Sequence, residues 1–212
     1  VIDELCDHCN CGDLVNIKEL LDKHKNISIF DKHVQSSSRV SRTSVPFTLA
    51  LLSGNISVIK FCLENFELKL SNTVCKVVED GRRHDRSASY DALCQVMRYN
   101  DSPMNLWILE NIVEKLKVEE LNAPVAYEDY YGESNNYSYY GMTYLHYAAF
   151  SKNLNACQVL LRHGADPYLR TDTFRGYRKN IGSDKKQSEF TGPNAINIFP
   201  DMERLVDMWC NK

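Results

Sequence analysis

The chain has 212 residues and a mass of 24.4 kDa, enough for one hydrophobic core or one array of repeated units. Apolar residues make up 43% and charged residues 25%, and no apolar run approaches the roughly 20 residues of a membrane-spanning helix. The formal net charge of −3 gives no general reason to expect nucleic acid. The composition therefore indicates globular protein material without a membrane span. Because the first residue is Val1 rather than methionine, we expect a processed or excised piece of a longer protein.

Two segments near the start have the pattern of a helix, a short turn and a second helix. The first covers residues 1–24 and turns at Gly12, which is followed by an apolar-periodic run. The second covers residues 43–70, contains Pro46 and Phe47 in its first half, and turns at Gly54. Each segment predicts two helices with one apolar face between them.

Three further segments continue the same pattern. The third, residues 89–117, has Pro103 at the start of its second helix. The fourth, residues 140–168, ends its second helix at Gly164, which suits the position after a helix C-terminus. A worn fifth segment, residues 191–211, predicts one last amphipathic helix as a C-terminal cap.

The segment from Gly141 to Pro167 resembles an ankyrin repeat, and Tyr144, in the family's proline position, is its one notable departure. The residues that match the family pattern are Gly141, Thr143, Leu145, His146, Ala148, Ala149, Leu160, Leu161, Gly164, Ala165 and Asp166. Because ankyrin units are unstable singly, the resemblance implies that the other four segments are degenerate copies. It implies an all-α fold: a single ankyrin-repeat domain over residues 1–212, a solenoid of stacked helix–turn–helix pairs with elongated loops or β-hairpin fingers.

The spacing of the repeats predicts long insertions. Four equivalent positions, Leu5, Phe47, Leu93 and Leu145, lie 42, 46 and 52 residues apart, whereas an ordinary repeat takes about 33. We assign the excess to four fingers, the first to fourth in chain order, at residues 25–43, 71–89, 121–140 and 168–192. Asp80-Gly81 in the second finger predicts a hairpin turn. The first finger, with its serine run, predicts a looser loop, and regular strands are expected to be few.

Eight cysteines raise the question of a metal site. Cys6, Cys9 and Cys11, with His8 between them, form the one dense cluster, but no second Cys-x-x-Cys accompanies it. The ankyrin resemblance places His8 and Cys9 in the two small-residue positions of a first helix, so we expect core packing and no bound metal. Scattered cysteines among apolar neighbours favour reduced thiols, and hence a cytoplasmic or nuclear setting.

The sequence contains no strong catalytic pattern. His146 and Cys157 are a conceivable Cys–His pair, but the resemblance implies a structural hydrogen-bonding role for His146 between neighbouring turns. No glycine-rich phosphate loop, His-Glu-x-x-His or Gly-x-Ser-x-Gly motif occurs. We therefore expect neither an enzyme nor a cofactor.

The resemblance implies protein recognition through the concave face, formed by the exposed ends of the first helices and by the fingers. The two outward positions after the small pair hold Arg98 and Tyr99 in the third repeat, and Phe150 and Ser151 in the fourth. Arginine and large aromatic residues often dominate binding energy at interfaces. The alternative for Phe150 is that its ring tucks under its own finger as core.

The fingers add aromatic and charged residues to this predicted surface. The third finger is tyrosine-rich and acidic, and its candidate contacts are Tyr130, Tyr131, Tyr137 and Tyr139. The second finger is basic, with Arg82 and Arg83 as candidates. An acidic finger flanked by basic ones predicts a protein or peptide partner of mixed charge, although charged loops are often simply solvated.

Three functions remain open at this stage. The favoured one is a non-catalytic protein-binding module that acts as a scaffold or recruits a partner or substrate. The second is a regulatory module of a larger enzyme or channel. The weakest is binding of a nucleic-acid strand by the basic fingers and the tyrosines, which the lack of a basic bias disfavours.

Overall fold

A computed structural model gives the structure of ten segments of the chain. These described residues are 1–30, 33–36, 40–68, 74–81, 84–99, 102–125, 137–138, 142–171, 175–176 and 193–209. Side chains are described for most of them, but not for the strands or for Arg98 and Tyr99.

The described residues form eleven α-helices, most of them arranged in pairs. The pairs are α1 (Ile2–Cys11) with α2 (Leu14–Lys23), α3 (Pro46–Ser53) with α4 (Ile56–Asn65), α5 (Ala92–Tyr99) with α6 (Pro103–Val113), α8 (Tyr144–Phe150) with α9 (Leu154–Arg162), and α10 (Ala195–Ile198) with α11 (Glu203–Trp209). The short α7 (Val118–Leu121) follows the third pair, and a 3₁₀ turn at Pro200–Met202 precedes α11. Within the described part of the chain, no helix is both long and apolar enough to cross a bilayer.

The helix pairs stack in chain order. Along one side α1 packs on α3, α3 on α5, α5 on α8 and α8 on α10; along the other, α4 packs on α6, α6 on α9 and α9 on α11. One continuous core runs through the stack, and the equivalent residues Leu5, Phe47, Leu93 and Leu145 are all buried in it. Each pair thus buries its apolar faces against the next pair, as the predicted helical array requires.

A four-stranded antiparallel sheet is built from the first two fingers. Its strands are β1 (His33–Ser36), β2 (Val40–Ser44), β3 (Val74–Gly81) and β4 (His84–Asp91), in the order β1-β2-β3-β4. The third and fourth fingers contribute β5 (Tyr137–Ser138) and β6 (Arg175–Gly176), which pair with each other. The first finger is therefore joined to the second, and the third to the fourth, through their backbones.

Regular strands were expected to be few, but the described residues form six of them, and the sheet differs from the sequence prediction in two further details. The first finger contains the hairpin β1–β2, where a looser loop was expected, because pairing of β2 with β3 supports it from the second finger. The second finger is a hairpin as predicted, but Asp80-Gly81 lies within β3, and Gly81 pairs with His84. The chain therefore reverses after Gly81 rather than at Asp80-Gly81.

The first helix corrects the assignment of His8. Cys9 is buried as expected, but the side chain of His8 is partly exposed, and its Nδ1 lies 3.4 Å from Oδ2 of Asp13. In α3 and α8 the equivalent positions hold buried Ala50 and Ala148, each of which faces an adjacent helix pair. No described helix pair precedes α1, so a larger polar side chain fits there.

Candidate functional site

The turns between the two helices of a pair have a common construction. Gly12 and Gly54 end α1 and α3 with left-handed backbone, at φ 83° and 68°. Asp13 then caps α2 by accepting from the backbone N–H of Asn16 at 3.2 Å. The same carboxylate accepts from the Asn16 side chain, and this hydrogen bonding lowers the pKa of Asp13. We call the last two residues of each first helix, the turn, and the first two residues of the second helix a tip.

Successive tips contact each other, which places their outward residues in a row. Between the first two, the Ser53 hydroxyl donates to Oδ1 of Asn10 at 2.6 Å, and Nδ2 of Asn55 donates to the carbonyls of Cys9 and Asn10 at 3.0 and 2.8 Å. Between the third and fourth helix pairs, Nδ2 of Asn153 in the fourth tip donates to the carbonyl of Met97, the residue just before the third tip, at 3.1 Å. This row of tips is the candidate site, here called the tip surface.

Between the second and third tips the contact is close packing. A Cβ atom on Gly54 would lie only 2.7 Å from Cε of Met104, the second residue of α6. Met104 therefore covers the turn of the preceding helix pair, and the row continues across the second and third tips.

The tip surface exposes large apolar side chains. Leu52 is 50% exposed, Phe150 44% and Leu154 42%, although the helices behind them bury nearly all their other apolar residues. Single exposed apolar residues are common on proteins, whereas several along one row of contacting turns are informative. The arrangement can offer an apolar contact surface to another macromolecule.

Two of the residues predicted to bind a partner can be placed on this surface in full. Phe150 is the last residue of α8 and is exposed; Ser151, which caps α8, is half-buried. Arg98 and Tyr99 end α5, and Tyr137 lies in β5, but their side chains are not described. The remaining candidates, Arg82, Arg83, Tyr130, Tyr131 and Tyr139, lie outside the described residues.

Lys152 is a residue of this surface that the sequence reasoning missed. It has φ 52°, and it is the one non-glycine residue with positive φ in the described part of the chain. It belongs to the same turn position as Gly12 and Gly54, between the end of a first helix and the cap of the second. Aligning Ser151, Lys152 and Asn153 with Ser53, Gly54 and Asn55 reveals the substitution in the sequence alone.

The buried groups His146 and Cys157 are held in their uncharged forms. Nδ1 of His146 accepts from the backbone N–H of Thr143 at 3.1 Å, so Nε2 carries the proton and donates to the Leu169 carbonyl at 3.1 Å. Burial lowers the pKa of His146 and raises that of Cys157 to about 12. Both ring nitrogens of His146 are thus engaged in hydrogen bonds, which leaves neither free to act as a base toward Cys157.

Two of the three cysteines in the α1 cluster are part of the core. Cys6 and Cys9 are buried and Cys11 is exposed. Burial, with smaller contributions from Cys6 and Cys11, raises the pKa of Cys9 to about 12; burial also raises the pKa of Cys62. Because a metal ligand must be a thiolate, these buried thiols are poorly suited to binding zinc. Among the side chains that the structure describes, no group of three His, Cys, Asp or Glu residues could hold a metal ion.

A comparison with protein families gives a match that lies on the fourth helix pair. The family model Ankyrin repeat matches residues 140–172, a segment that contains α8, α9 and the turn after α9. The fourth helix pair is therefore similar to an ankyrin repeat. The helical fold of the chain, with pairs that stack in order, is consistent with the ankyrin-repeat architecture. No curated protein matches the chain in a search of such proteins.

The turn after α9 belongs to the matched segment and is held by hydrogen bonds. Gly164 has φ 94°, and the Asp166 carboxylate accepts from the backbone N–H of Tyr168 at 2.8 Å. Asn122, just after α7, donates to the Gly164 carbonyl and accepts from the Asp166 N–H. Ankyrin repeats are protein–protein interaction modules, and they are typically non-catalytic.

Proposed function

We propose that this chain is a non-catalytic protein-binding module whose tip surface, together with the fingers, contacts another protein or peptide. The observation that carries the proposal is the exposure of Leu52 and Phe150 at equivalent positions, the first outward position of α3 and of α8. Such exposed apolar side chains become favourable contacts only when a partner covers them. Scaffolding, or recruitment of a partner or substrate, is the role that fits best.

The proposed contact set is the one predicted from the sequence, extended by the tip surface. Arg98, Tyr99, Phe150 and Ser151 supply the first-helix positions of the third and fourth helix pairs. Arg82, Arg83 and the tyrosines of the third finger supply the remainder. A partner of mixed charge suits this set, because the second finger is basic and the third is acidic.

Affinity capture with matched variants tests the proposal. Tagged wild-type chain, Phe150→Ala and Met208→Ala are incubated with lysate of the source cells, and captured proteins are quantified by mass spectrometry. Met208 is the control, because it is equally apolar and 53% exposed but belongs to α11. Phe150→Ala should weaken capture of a specific protein by about 1–3 kcal/mol, and Met208→Ala should not.

The contrary outcome is equally clear. If both variants retain the same captured proteins at the same affinity, or if the wild-type chain captures none above background, the tip surface is not the interface. Thermal melting of each variant separates loss of binding from loss of folding. A fall in melting temperature for Phe150→Ala with unchanged affinity would assign that ring to packing.

We also propose a reducing compartment, the cytoplasm or the nucleus, for this module. Six cysteines are free in the described part of the chain, and five of them are buried. Unpaired buried thiols persist where the cell keeps cysteines reduced. Imaging of a fluorescent fusion of the natural full-length protein checks the location, and a signal confined to the secretory pathway would contradict it.

A further inference from the structure

The fold repeats a left-handed turn between the two helices of a pair, but it does not require the lysine, Lys152, that stands there in the fourth tip. At the first two tips the left-handed turn is made by Gly12 and Gly54, for which this conformation carries no steric cost. At the fourth tip the chain makes a left-handed turn at φ 52° with a lysine. Non-glycine residues in this region are uncommon, and such strained positions concentrate at binding sites.

The surroundings of Lys152 are apolar and exposed. Phe150 is 44% exposed two residues before it, Leu154 is 42% exposed two residues after it, and Lys152 itself is exposed. The first two tips carry no basic side chain: the first has Asn10, Cys11 and Asp13, and the second has Ser53 and Asn55. The fourth tip thus combines one positive charge with an apolar residue on each side.

We propose that the fourth tip recognises a carboxylate next to an apolar side chain in an extended segment of a partner protein, with Lys152 as the residue that sets specificity. The partner's apolar side chain packs between Phe150 and Leu154, and its Asp or Glu pairs with the Lys152 ammonium. This inference rests on the proposed function, since it names the chemistry of the segment that the tip surface binds. It agrees with the proposed partner of mixed charge.

Charge complementarity is what selects this occupant. A purely apolar segment gains nothing from the lysine, and a basic segment is repelled by it. Lys152 is exposed on a short turn, two residues from exposed Phe150 and two from exposed Leu154. The pairing therefore discriminates between partners that carry an acidic residue at this point and partners that do not.

Selection from random peptides tests the inference. Displayed linear peptides of about twelve residues, the length scale of a groove-binding segment, are selected on the wild-type chain. Enriched sequences should share an Asp or Glu next to Leu, Ile, Met or Phe. The tightest peptide is then synthesised, and its Kd is measured by calorimetry for the wild type and four variants.

The variants separate charge from fold. Lys152→Glu should weaken binding at least about tenfold, and Lys152→Gly should weaken it several-fold, with loss of most of the salt dependence. Phe150→Ala should weaken it about tenfold. Lys115→Glu, the same charge reversal on the exposed turn after α6, should leave the Kd unchanged.

Three results would overturn the inference: enriched peptides without acidic residues, a Kd unaffected by Lys152→Glu, or a selection that returns no sequence above background. The first two leave the proposed function standing, because peptides still bind the chain by other residues. The third result overturns the inference but does not decide the proposed function. That function is tested by the affinity capture, which uses whole proteins and does not depend on a linear peptide.

Discussion

Lys152 illustrates at the scale of one residue how a turn can keep a conformation that its side chain disfavours. Left-handed backbone costs a non-glycine residue roughly 1–3 kcal/mol, while glycine costs about 0.5–1 kcal/mol of extra entropy in the unfolded chain. The first effect is larger. Lys152→Gly should therefore stabilise the protein by about 1 kcal/mol, measured by urea unfolding with an unchanged m-value.

The reverse substitution provides the comparison. Gly12→Ala introduces a Cβ at φ 83° that would lie 2.7 Å from Oδ1 of Asn55. It should destabilise the protein by more than Lys152→Gly stabilises it, because strain and a collision with the neighbouring tip add together. A stabilising Gly12→Ala, or a destabilising Lys152→Gly, would show that these turns are not held in the left-handed conformation.

His146 makes the stability depend on pH in a defined direction. Burial lowers its pKa in the folded protein, below the ordinary value of about 6.5 that it has in the unfolded chain. Between those two values the unfolded chain binds more protons, so the free energy of unfolding falls as pH decreases below about 6.5. Above that pH the contribution is fully present.

Urea unfolding at pH 7.5 and pH 5.5 measures this effect. His146→Gln should lower the stability at pH 7.5 and flatten its decline toward pH 5.5, because the titrating group is gone. His163→Asn, at the end of α9, is the control and should retain the wild-type decline. An equally steep decline in His146→Gln would assign the pH dependence to other groups.

Adjacent helix pairs are tied together by side chains on both edges of the second helices. On α2, α4 and α6 the ties are cation–π contacts: Lys18 lies 5.2 Å from the ring centroid of Phe61, and Lys60 lies 5.2 Å from that of Trp107. The next tie is an ion pair between Glu110 and Arg162. At the opposite edge, Asn55 and Asn153 donate to carbonyls of the preceding helix pair.

The side chain of Asn153 makes two hydrogen bonds, and its removal should lower the free energy of unfolding. Its Oδ1 caps α9 by accepting from the Ala156 N–H at 2.9 Å, and its Nδ2 satisfies the Met97 carbonyl. Asn153→Ala should lower the free energy of unfolding by about 2 kcal/mol, from the lost cap and the unpaired buried carbonyl. The control is Asn65→Ala, because exposed Asn65 bonds only within α4, to Phe61. A change below about 0.5 kcal/mol for both variants would contradict a role for the inter-pair bond.

How much of these elements the sequence could predict depends on where their signals lie. The helix pairs are encoded locally, in apolar spacing and in glycines such as Gly54, and the resemblance at Leu145, Ala148 and Ala149 identified the fourth pair. Pairing of β2 with β3 could not be predicted, because it is a backbone contact between residues that lie 33 to 39 positions apart. Lys152 was missed because a lysine carries no signal for left-handed backbone.

The candidate surface was predictable only in part. Phe150 was found because the resemblance fixed its position in the repeat, and its exposure could then be checked. Leu154 and Met104 lie at the starts of second helices, whereas the sequence prediction placed outward residues only at the ends of the first helices. Their exposure depends on how one tip covers the next, which no local pattern in the sequence reports.

The described helix pairs form a stack in which each pair packs on its neighbours. The last described elements extend this core: Ala195, Phe199, Met202 and Val206 are buried, and α10 and α11 pack on α8 and α9. Stability in such arrays is roughly the sum of unit and interface contributions. Loss of the last unit should therefore expose the apolar faces of the fourth helix pair.

Truncation and substitution test this dependence together. A chain that ends at Gly192 should melt at a clearly lower temperature than the full chain and should bind hydrophobic dyes. Met202→Ala, which removes one fully buried side chain and keeps the rest, should cost about 2–5 kcal/mol. Exposed Met208→Ala is the matched control. An unchanged melting temperature after truncation would mean that the stack does not rely on its last unit.

The strand pairs have one more consequence, for how the chain could change over evolutionary time. β2 and β3 flank the second helix pair, and β5 and β6 flank the fourth, so the chain enters and leaves each of these pairs through hydrogen-bonded neighbours. A segment whose two ends lie side by side can be lost or duplicated without changing the distance that the remaining chain must span. We therefore expect these two helix pairs to be the units that are lost or duplicated most readily in evolution, because the chain on either side would keep its path.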